Sequence, residues 1–582
     1  MGQLTILHKL GIMRYLWFAV CLGVCLDTGQ FVYLSLSQTL VGGLFILLFL
    51  SFGLICSWRQ SFRLDNVQVL TAIWICYLLV HAMHIKSPEI YKFLYLVESL
   101  LLVLILPTLI RNHIISKESV NNGLLLICGI QIMGLLLQAM GVMDSYNEFF
   151  PLTGFSENPN VTAILLAACL FLILDKAERG RHGVAWILMA LVVAGLVIVL
   201  KCRTAYLGIA VCLFVRVLFS NWFKNFWANR SRLGNASLLA ILAVVMATGG
   251  QTLYAAKQSS SEGRLLIWKV SGSLIKEHPM GIGIGMFDRE YNLRQGEYFA
   301  SGLSTAQERY NSDAVYTAYN DFIEHGVECG IPGMVFIAAF YLSLITKAYR
   351  TGRIEELSVI AAFFLMSFTN FIYATIQPWI LLLCYAGFVL SGNRNAKPVT
   401  SHSAKGMAQG FLLLACGALF VVHCPLLYSQ QLLGEFQRNA NRGEDINLSA
   451  VESLSSSIGT SEAYWTFLSG QYYSHGRYGD ALRGALKATE YTSSPTVFFS
   501  VFDCYDKLSR TQEGIPYIEA IRNMLPQNLT SRLVLLKWYD HNRQWTQARE
   551  MANEIVQMPV KIITPRSADI RNYAAKYIQT HP

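Results

Sequence analysis

Three polar clusters break into a chain that is otherwise apolar, and their residue types suit anion binding and proton transfer. The first is Lys201-Cys202-Arg203-Thr204-Ala205, squeezed between two apolar runs. An ordinary hairpin there would use Gly, Asn or Ser. Two cations at a tight turn point instead to an anion held close to a membrane surface, and a guanidinium can grip a phosphate through two parallel hydrogen bonds. The competing explanation is a pair of side chains snorkelling to lipid headgroups, and position alone does not separate the two.

The second cluster opens with Ser261-Glu262-Gly263-Arg264, ahead of an amphipathic stretch containing Trp268, Leu274 and Ile275. Glu277-His278-Pro279-Met280-Gly281-Ile282-Gly283-Ile284-Gly285-Met286-Phe287 follows. Its spaced glycines permit a sharp backbone beside a helix end. They lack the strand–turn–helix setting of a nucleotide fingerprint. The third cluster runs from Tyr316 to Gly330 and includes Tyr319-Asn320-Asp321, Glu324-His325 and Glu328, with Asp313 just upstream. Asp321 and His325 stand four apart, as do Glu324 and Glu328, so each pair shares a helix face. A carboxylate–imidazole pair at a membrane surface could act as a general base. The plainer explanation is that acidic residues favour a first helical turn.

The elements that must position these clusters are membrane spans. Of 582 residues, 53% are hydrophobic and only 14% charged, against about 25% charged in soluble domains. Apolar runs long enough to cross a core of about 30 Å recur at 15–36, 39–57, 67–85, 92–110, 123–143, 160–175, 184–200, 204–220, 236–254, 331–346, 356–374, 376–391 and 409–428. This predicts an all-α polytopic membrane protein with about a dozen spans over residues 1–430 and a soluble helical domain at 431–582. The first run contains Asp27 and Gln30 and lacks a small-x-small cleavage site, so it reads as a span rather than a leader. Alternate loops carry most of the cations, among them Arg63, Arg111, Lys117, Lys176, Lys347, Arg353 and Lys405. The positive-inside rule then puts the N-terminus in the cytoplasm, and the long loop at about 255–330 and the C-terminal domain outside.

The net charge of +9 is thereby a topology signal and gives no support for a nucleic-acid partner. Most of the 13 cysteines fall inside apolar runs, without metal-ligand spacing or a disulfide framework. The tail has an approximate repeat of roughly 34 residues, resembling tetratricopeptide units. Tyr464, Leu468, Gly470, Tyr472, Ala481 and Ala485 mark the first unit; Phe498, Phe502 and Tyr505 restart it; Leu533, Leu536, Trp538, Trp545 and Ala548 echo it. Stacked repeats of this kind commonly bind a protein or peptide partner; an irregular helical domain is the alternative.

In this order and on one predicted side of the membrane, the clusters resemble the O-antigen ligase family, which also includes O-linked protein oligosaccharyltransferases and related O-antigen polymerases. The matching pieces are Asn158-Pro159-Asn160, Arg203-Thr204-Ala205, Gly263-Arg264 with Trp268, His278-Pro279 with Gly281-Ile282-Gly283, and Tyr319-Asn320 with Glu328 and Gly330-Ile331-Pro332-Gly333. The resemblance covers roughly residues 150–390. It implies an all-helical membrane glycosyltransferase that uses a glycan carried on undecaprenyl pyrophosphate, with no nucleotide sugar, cofactor or metal. The acceptor is lipid A core, a protein or another glycan. Arginines matching Arg203 and Arg264 are implied to contact the pyrophosphate, with Lys201 beside them. One departure is plain: family members commonly carry a His where this chain has Tyr319. A tyrosine, with a pKa of about 10, is a poor base, so Asp321, Glu324, His325 and Asp313 are the substitutes. The readings from another class are a lipid-linked glycan transporter or flippase and a membrane-anchored scaffold. Against a transporter stands the gathering of charged motifs at one face, without two similar halves.

Overall fold

A computed structural model describes residues 2–25, 34–58, 60–85, 90–179, 182–228, 258–392, 397–398, 401–559 and 564–581. Over these residues the chain is an all-α polytopic membrane protein, with one two-residue antiparallel pairing of Arg63–Leu64 and Lys397–Pro398. Seven described helices are long and apolar enough to span a membrane: Leu36–Cys56, Asn66–His84, Ile90–Arg111, Lys117–Ala139, Pro159–Glu178, Asp321–Arg350 and Ser403–Asn441. Gly11–Gly23, Gly183–Val199 and Ile376–Ser391 are shorter apolar helices. The expected span at 236–254, and Asp27 and Gln30 of the first run, lie outside the described residues.

The chain divides into two compact units, Met1–Leu239 with Tyr319–Asp445, and Ala240–Ala318 with Ile446–Pro582. The long loop and the tail, far apart in sequence, are therefore one unit.

In the first unit, Ile90–Arg111 is buried almost throughout from Leu94 to Leu109 and packs against Leu34–Cys56, Asn66–His84 and Ile376–Ser391. Apolar contact alone gives little preference between neighbouring helices in lipid, so polar bonds help fix the arrangement. Trp379 Nε1 donates to Ser99 Oγ at 2.9 Å, Tyr95 Oη to the Tyr373 carbonyl at 2.8 Å, and Gln131 Nε2 to Gln377 Oε1 at 2.6 Å. On the outside, Gly183–Val199 exposes Val184, Ile187, Leu188, Leu191 and Ile198, a surface suited to acyl chains.

Cap residues set several helix starts. Asp65 and Gln68 form a capping box, Ser116 caps Lys117–Ala139, and Asn320 caps Asp321–Arg350; each satisfies first-turn N–H groups. Two spans differ from the sequence expectation. The run at 331–346 is the later part of Asp321–Arg350, which Gly330 interrupts at φ 72°, ψ −175°. Only glycine enters that conformation without strain, and Pro332 then lacks an amide to restore the ladder. The run at 356–374 stops as a helix at Met366, and the chain turns through Ser367–Thr375.

The second unit packs its tail helices in successive pairs: Glu462–Ser474 with Tyr478–Ala488, Pro495–Lys507 with Thr511–Met524, and Leu529–His541 with Trp545–Gln557. Ile518, Ile521, Leu535, Leu536, Ala552 and Ile555 fill its core. The loop contributes Gln258–Glu277, Phe287–Ala300 and Ala306–Asn311. Phe287–Ala300 lies on Thr511–Met524, so closely at Gly296 that a Cβ there would stand 3.1 Å from Met524 Cγ.

Candidate functional site

In the first unit the ion pairs sort the two ends of the helices. At one end, Lys117 Nζ lies 2.7 Å from Glu356 Oε1, with Arg353 also on Glu356 at 3.2 Å. Lys347 meets Asp65 at 2.6 Å, and Arg111 donates to the carbonyls of Arg63 and Leu390. Arg216 holds Asp175 through two bonds of 2.6 and 3.2 Å. The cation-rich loops thus gather at one end of the body. The first and third polar clusters occupy the other.

At that other end Lys201 is exposed and takes φ 51°, a left-handed conformation that bulky residues rarely adopt. It aims the chain into the helix Arg203–Phe219, whose first residue is Arg203, half-buried. Cys202 supplies no side-chain cap. A guanidinium, an ammonium and the positive end of a helix dipole therefore coincide at one turn, which favours an anion.

Thr204 Oγ1 sits 3.3 Å from Thr369 Oγ1, in the segment that ends the helix Ile354–Met366. The same segment receives the third cluster. Asn320 Nδ2 donates to the Phe368 carbonyl at 3.2 Å, and the Asp321 amide donates to the Ser367 carbonyl at 2.9 Å. Asp321 Oδ1 accepts from the Ile372 amide at 2.8 Å. Tyr319, half-buried and at φ 50°, packs edge-on to Phe371 at 5.5 Å. Ser367–Ile372 thus brings the Lys201–Arg203 turn and Tyr319–Asp321 into one neighbourhood. Sequence reading missed this segment. Its signal was the polar Ser367, Thr369 and Asn370, masked by Phe364, Phe368 and Phe371 around them.

The remaining third-cluster residues point inward. Glu324 and Glu328 are buried and share the Tyr373 hydroxyl, at 3.4 and 3.0 Å. Glu328 also lies 3.7 Å from Lys92 Nζ, whose side chain is 37% exposed. His325 has no exposed surface and stands between Trp74 and Tyr373, with ring centroids 5.4 and 4.9 Å away. Among the described residues neither of its ring nitrogens has a hydrogen-bond partner. Asp321 and His325 share a helix face, as their spacing predicts, but they form no mutual bond among the described residues. At the same end, Asn158 heads Pro159–Arg179 and accepts from the Asn160 amide at 2.9 Å; its motif role is that of a cap.

In the second unit Arg264, half-buried, lies one helical turn before Trp268 on Gln258–Glu277. Trp268 Nε1 donates to the Ala318 carbonyl at 3.0 Å, tethering the end of the 313–318 segment. Asn292 fixes the middle, donating to and accepting from Val315 at 3.1 and 3.0 Å. Asp313 is exposed, and its carbonyl accepts from Gln295 Nε2. His278 is exposed beside the glycine turn, where Gly281, Gly283 and Gly285 all have positive φ, 89°, 112° and 87°. Only glycine follows that path without strain. Glu308 clamps the surrounding helices. Burial raises its pKa, but the Lys269 ammonium, the Thr305 amide and the Tyr298 hydroxyl outweigh this and bring it to about 2.

Residues 188–338 match a family model described as O-Antigen ligase. The matched stretch takes in Lys201, Arg203, Arg264, Trp268, His278, Asp313 and the whole of Tyr319–Glu328. None of the curated proteins matches the chain.

Proposed function

We propose that the O-antigen ligase family domain of this chain transfers a glycan from a lipid-linked pyrophosphate, undecaprenyl pyrophosphate, to an acceptor hydroxyl. A membrane glycan-transfer role in general follows from the family. The finer reading rests on one observation: the Lys201–Arg203 turn shares a neighbourhood with Tyr319–Asp321, at the end of the body opposite the cation-rich loops. By the positive-inside rule the cation-rich end faces the cytoplasm. The site then faces the outer side of a bacterial inner membrane, where a long lipid anchor presents its phosphates.

The acceptor oxygen bonds to the anomeric carbon while the bond from that carbon to the phosphate oxygen breaks. The electron pair leaves with the pyrophosphate. Arg203, Lys201 and the helix N-terminus stabilise the charge that develops there, an electrostatic contribution that is often the largest in such reactions. Arg264 is assigned the same chemistry through the family resemblance. The hydroxyl proton passes to a carboxylate. Among the carboxylates of residues 313–328, Asp313 is exposed whereas Asp321, Glu324 and Glu328 are buried. Buried His325, whose ring nitrogens have no hydrogen-bond partner among the described residues, suits packing better than proton transfer. The helix pairs of the tail are assigned as tetratricopeptide-like, a platform for a protein or acceptor.

A cell-surface glycan profile of a deletion strain tests this reading, with Arg203→Ala and Arg264→Ala complements alongside. Loss of long glycan from lipid A core or from glycoproteins, with undecaprenyl-linked polymer accumulating, is the expected result and identifies the acceptor. Accumulation of single repeat units would assign polymerisation instead. An unchanged profile would sink the transferase reading.

A further inference from the structure

The second unit holds a cavity of about 610 Å³ between the loop helix Ala306–Asn311 and the tail. Its volume falls within the range of about 300–1,000 Å³ usual for small-ligand sites. Arg309, Arg522 and Arg532 all line it, and Glu554 is the acidic group in its wall.

Arg532 keeps only 7% of its surface exposed. A buried guanidinium is costly without a partner, and Glu554 supplies one, accepting from Arg532 Nε at 3.0 Å. The same carboxylate also meets Arg522 Nη2 at 2.5 Å. One negative charge thus serves two positive ones. Arg309 makes no ion pair among the described residues; its Nε donates to Ser304 Oγ and its Nη2 to the Phe299 carbonyl, both at 2.8 Å. Each guanidinium carries five donors, so donors remain on all three after these bonds. Mutual repulsion of the three cations is felt within the wall, since burial and the neighbouring Arg522 and Arg309 hold Arg532 below its ordinary pKa despite Glu554.

The rest of the lining decides what kind of anion fits. Tyr310 offers a ring, and Gln527 offers an amide oriented by donation to the Tyr310 carbonyl at 3.0 Å. Planar amides and guanidinia bond sugar hydroxyls in pairs, and an aromatic face covers the apolar face of a pyranose. We propose that this cavity binds an anionic saccharide, a sugar bearing a carboxylate or phosphate group, with Arg309 and Arg522 on the acid and Tyr310 and Gln527 on the ring. The inference does not depend on the transferase reading, because a scaffold or transporter could carry the same site.

Binding is measured by calorimetry on the full-length protein in detergent, with glucuronate, glucose 6-phosphate, glucose and inorganic phosphate as probes. The acidic sugars are expected to bind more tightly than either glucose or inorganic phosphate. Arg309→Gln and Arg522→Gln should each weaken them about tenfold, the effect of losing one charge-assisted bond, whereas Arg483→Gln, exposed and outside the cavity lining, should not. Phenylglyoxal labelling of the unaltered protein gives a readout that needs no variant: glucuronate should protect Arg309 and leave Arg483 reactive. Equal binding of phosphate and glucose 6-phosphate would overturn the saccharide assignment. Equal binding of glucose and glucuronate, or unprotected Arg309, would overturn the anion site.

Discussion

Asp321 has no exposed surface, and its bonds describe its work. Its amide holds the Ser367 carbonyl and its carboxylate holds the Ile372 amide, so it staples the turn after Met366 to the start of Asp321–Arg350. Leaving the Ile372 amide unsatisfied in a buried site costs about 1–3 kcal/mol. Asp321→Ala should therefore lower the thermal midpoint of the detergent-solubilised protein, and Asp321→Asn, which keeps an acceptor oxygen, should recover most of it. If Asp321→Ala keeps the wild-type midpoint while transfer disappears, the carboxylate is chemical rather than structural. The spacing of Asp321 and His325 was legible in sequence. Their burial was not, because helical periodicity states which residues share a face and is silent on what packs against it. Trp74, from the helix Asn66–His84, and Tyr373, from the turn after Met366, enclose His325.

Helices and turns show the same division. The spans were readable because a run of apolar residues has few alternatives in lipid, and Asn158 and Asn320 sit where cap chemistry puts them. The end of Ile354–Met366 was hidden, since Phe364, Phe368 and Phe371 keep the local composition apolar while the backbone turns. Two predictions belong here. Gly330→Ala forces a side chain into a backbone conformation, φ 72° and ψ −175°, that is almost exclusive to glycine, at about 1–3 kcal/mol. It should lower the thermal midpoint and loosen the Tyr77 bond to the Cys329 carbonyl, 2.6 Å long, seen as faster hydrogen exchange around residue 330; unchanged exchange would show that the kink is not needed. The second concerns pH. Against the effect of burial, the Lys269 ammonium, the Thr305 amide and the Tyr298 hydroxyl hold Glu308 at about 2 in the folded protein, below an unfolded value of about 4.3. Its contribution to stability is present above that unfolded value and fades as pH falls toward the folded one. Exchange in the helix Gln258–Glu277 should quicken over that window, and Glu308→Gln should show the quickened rate already at neutral pH. The same pH profile in both proteins would assign the effect to other carboxylates.

For the molecule as a whole, an all-α polytopic membrane protein was legible from composition. The partnership of the loop with the tail was not, because it rests on bonds such as that of Gln295 Nε2 to the Met524 carbonyl, 229 residues apart. No local pattern announces such a contact. Similarly, Lys201 and Arg203 were visible as misplaced cations, but their neighbourhood with Tyr319–Asp321 depends on Ser367–Ile372 coming between them. On the proposed mechanism the cations of the Lys201–Arg203 turn stabilise a departing pyrophosphate. The direct test is single-turnover transfer by purified protein from an undecaprenyl-pyrophosphate-linked glycan, following release of the free lipid pyrophosphate. Arg203→Ala is predicted to slow that release about 10²–10³-fold, as loss of one preorganised donor does elsewhere, with Arg203→Lys intermediate and a normal thermal midpoint in both. Release by Arg203→Ala at the wild-type rate would show that Arg203 does not stabilise the leaving group.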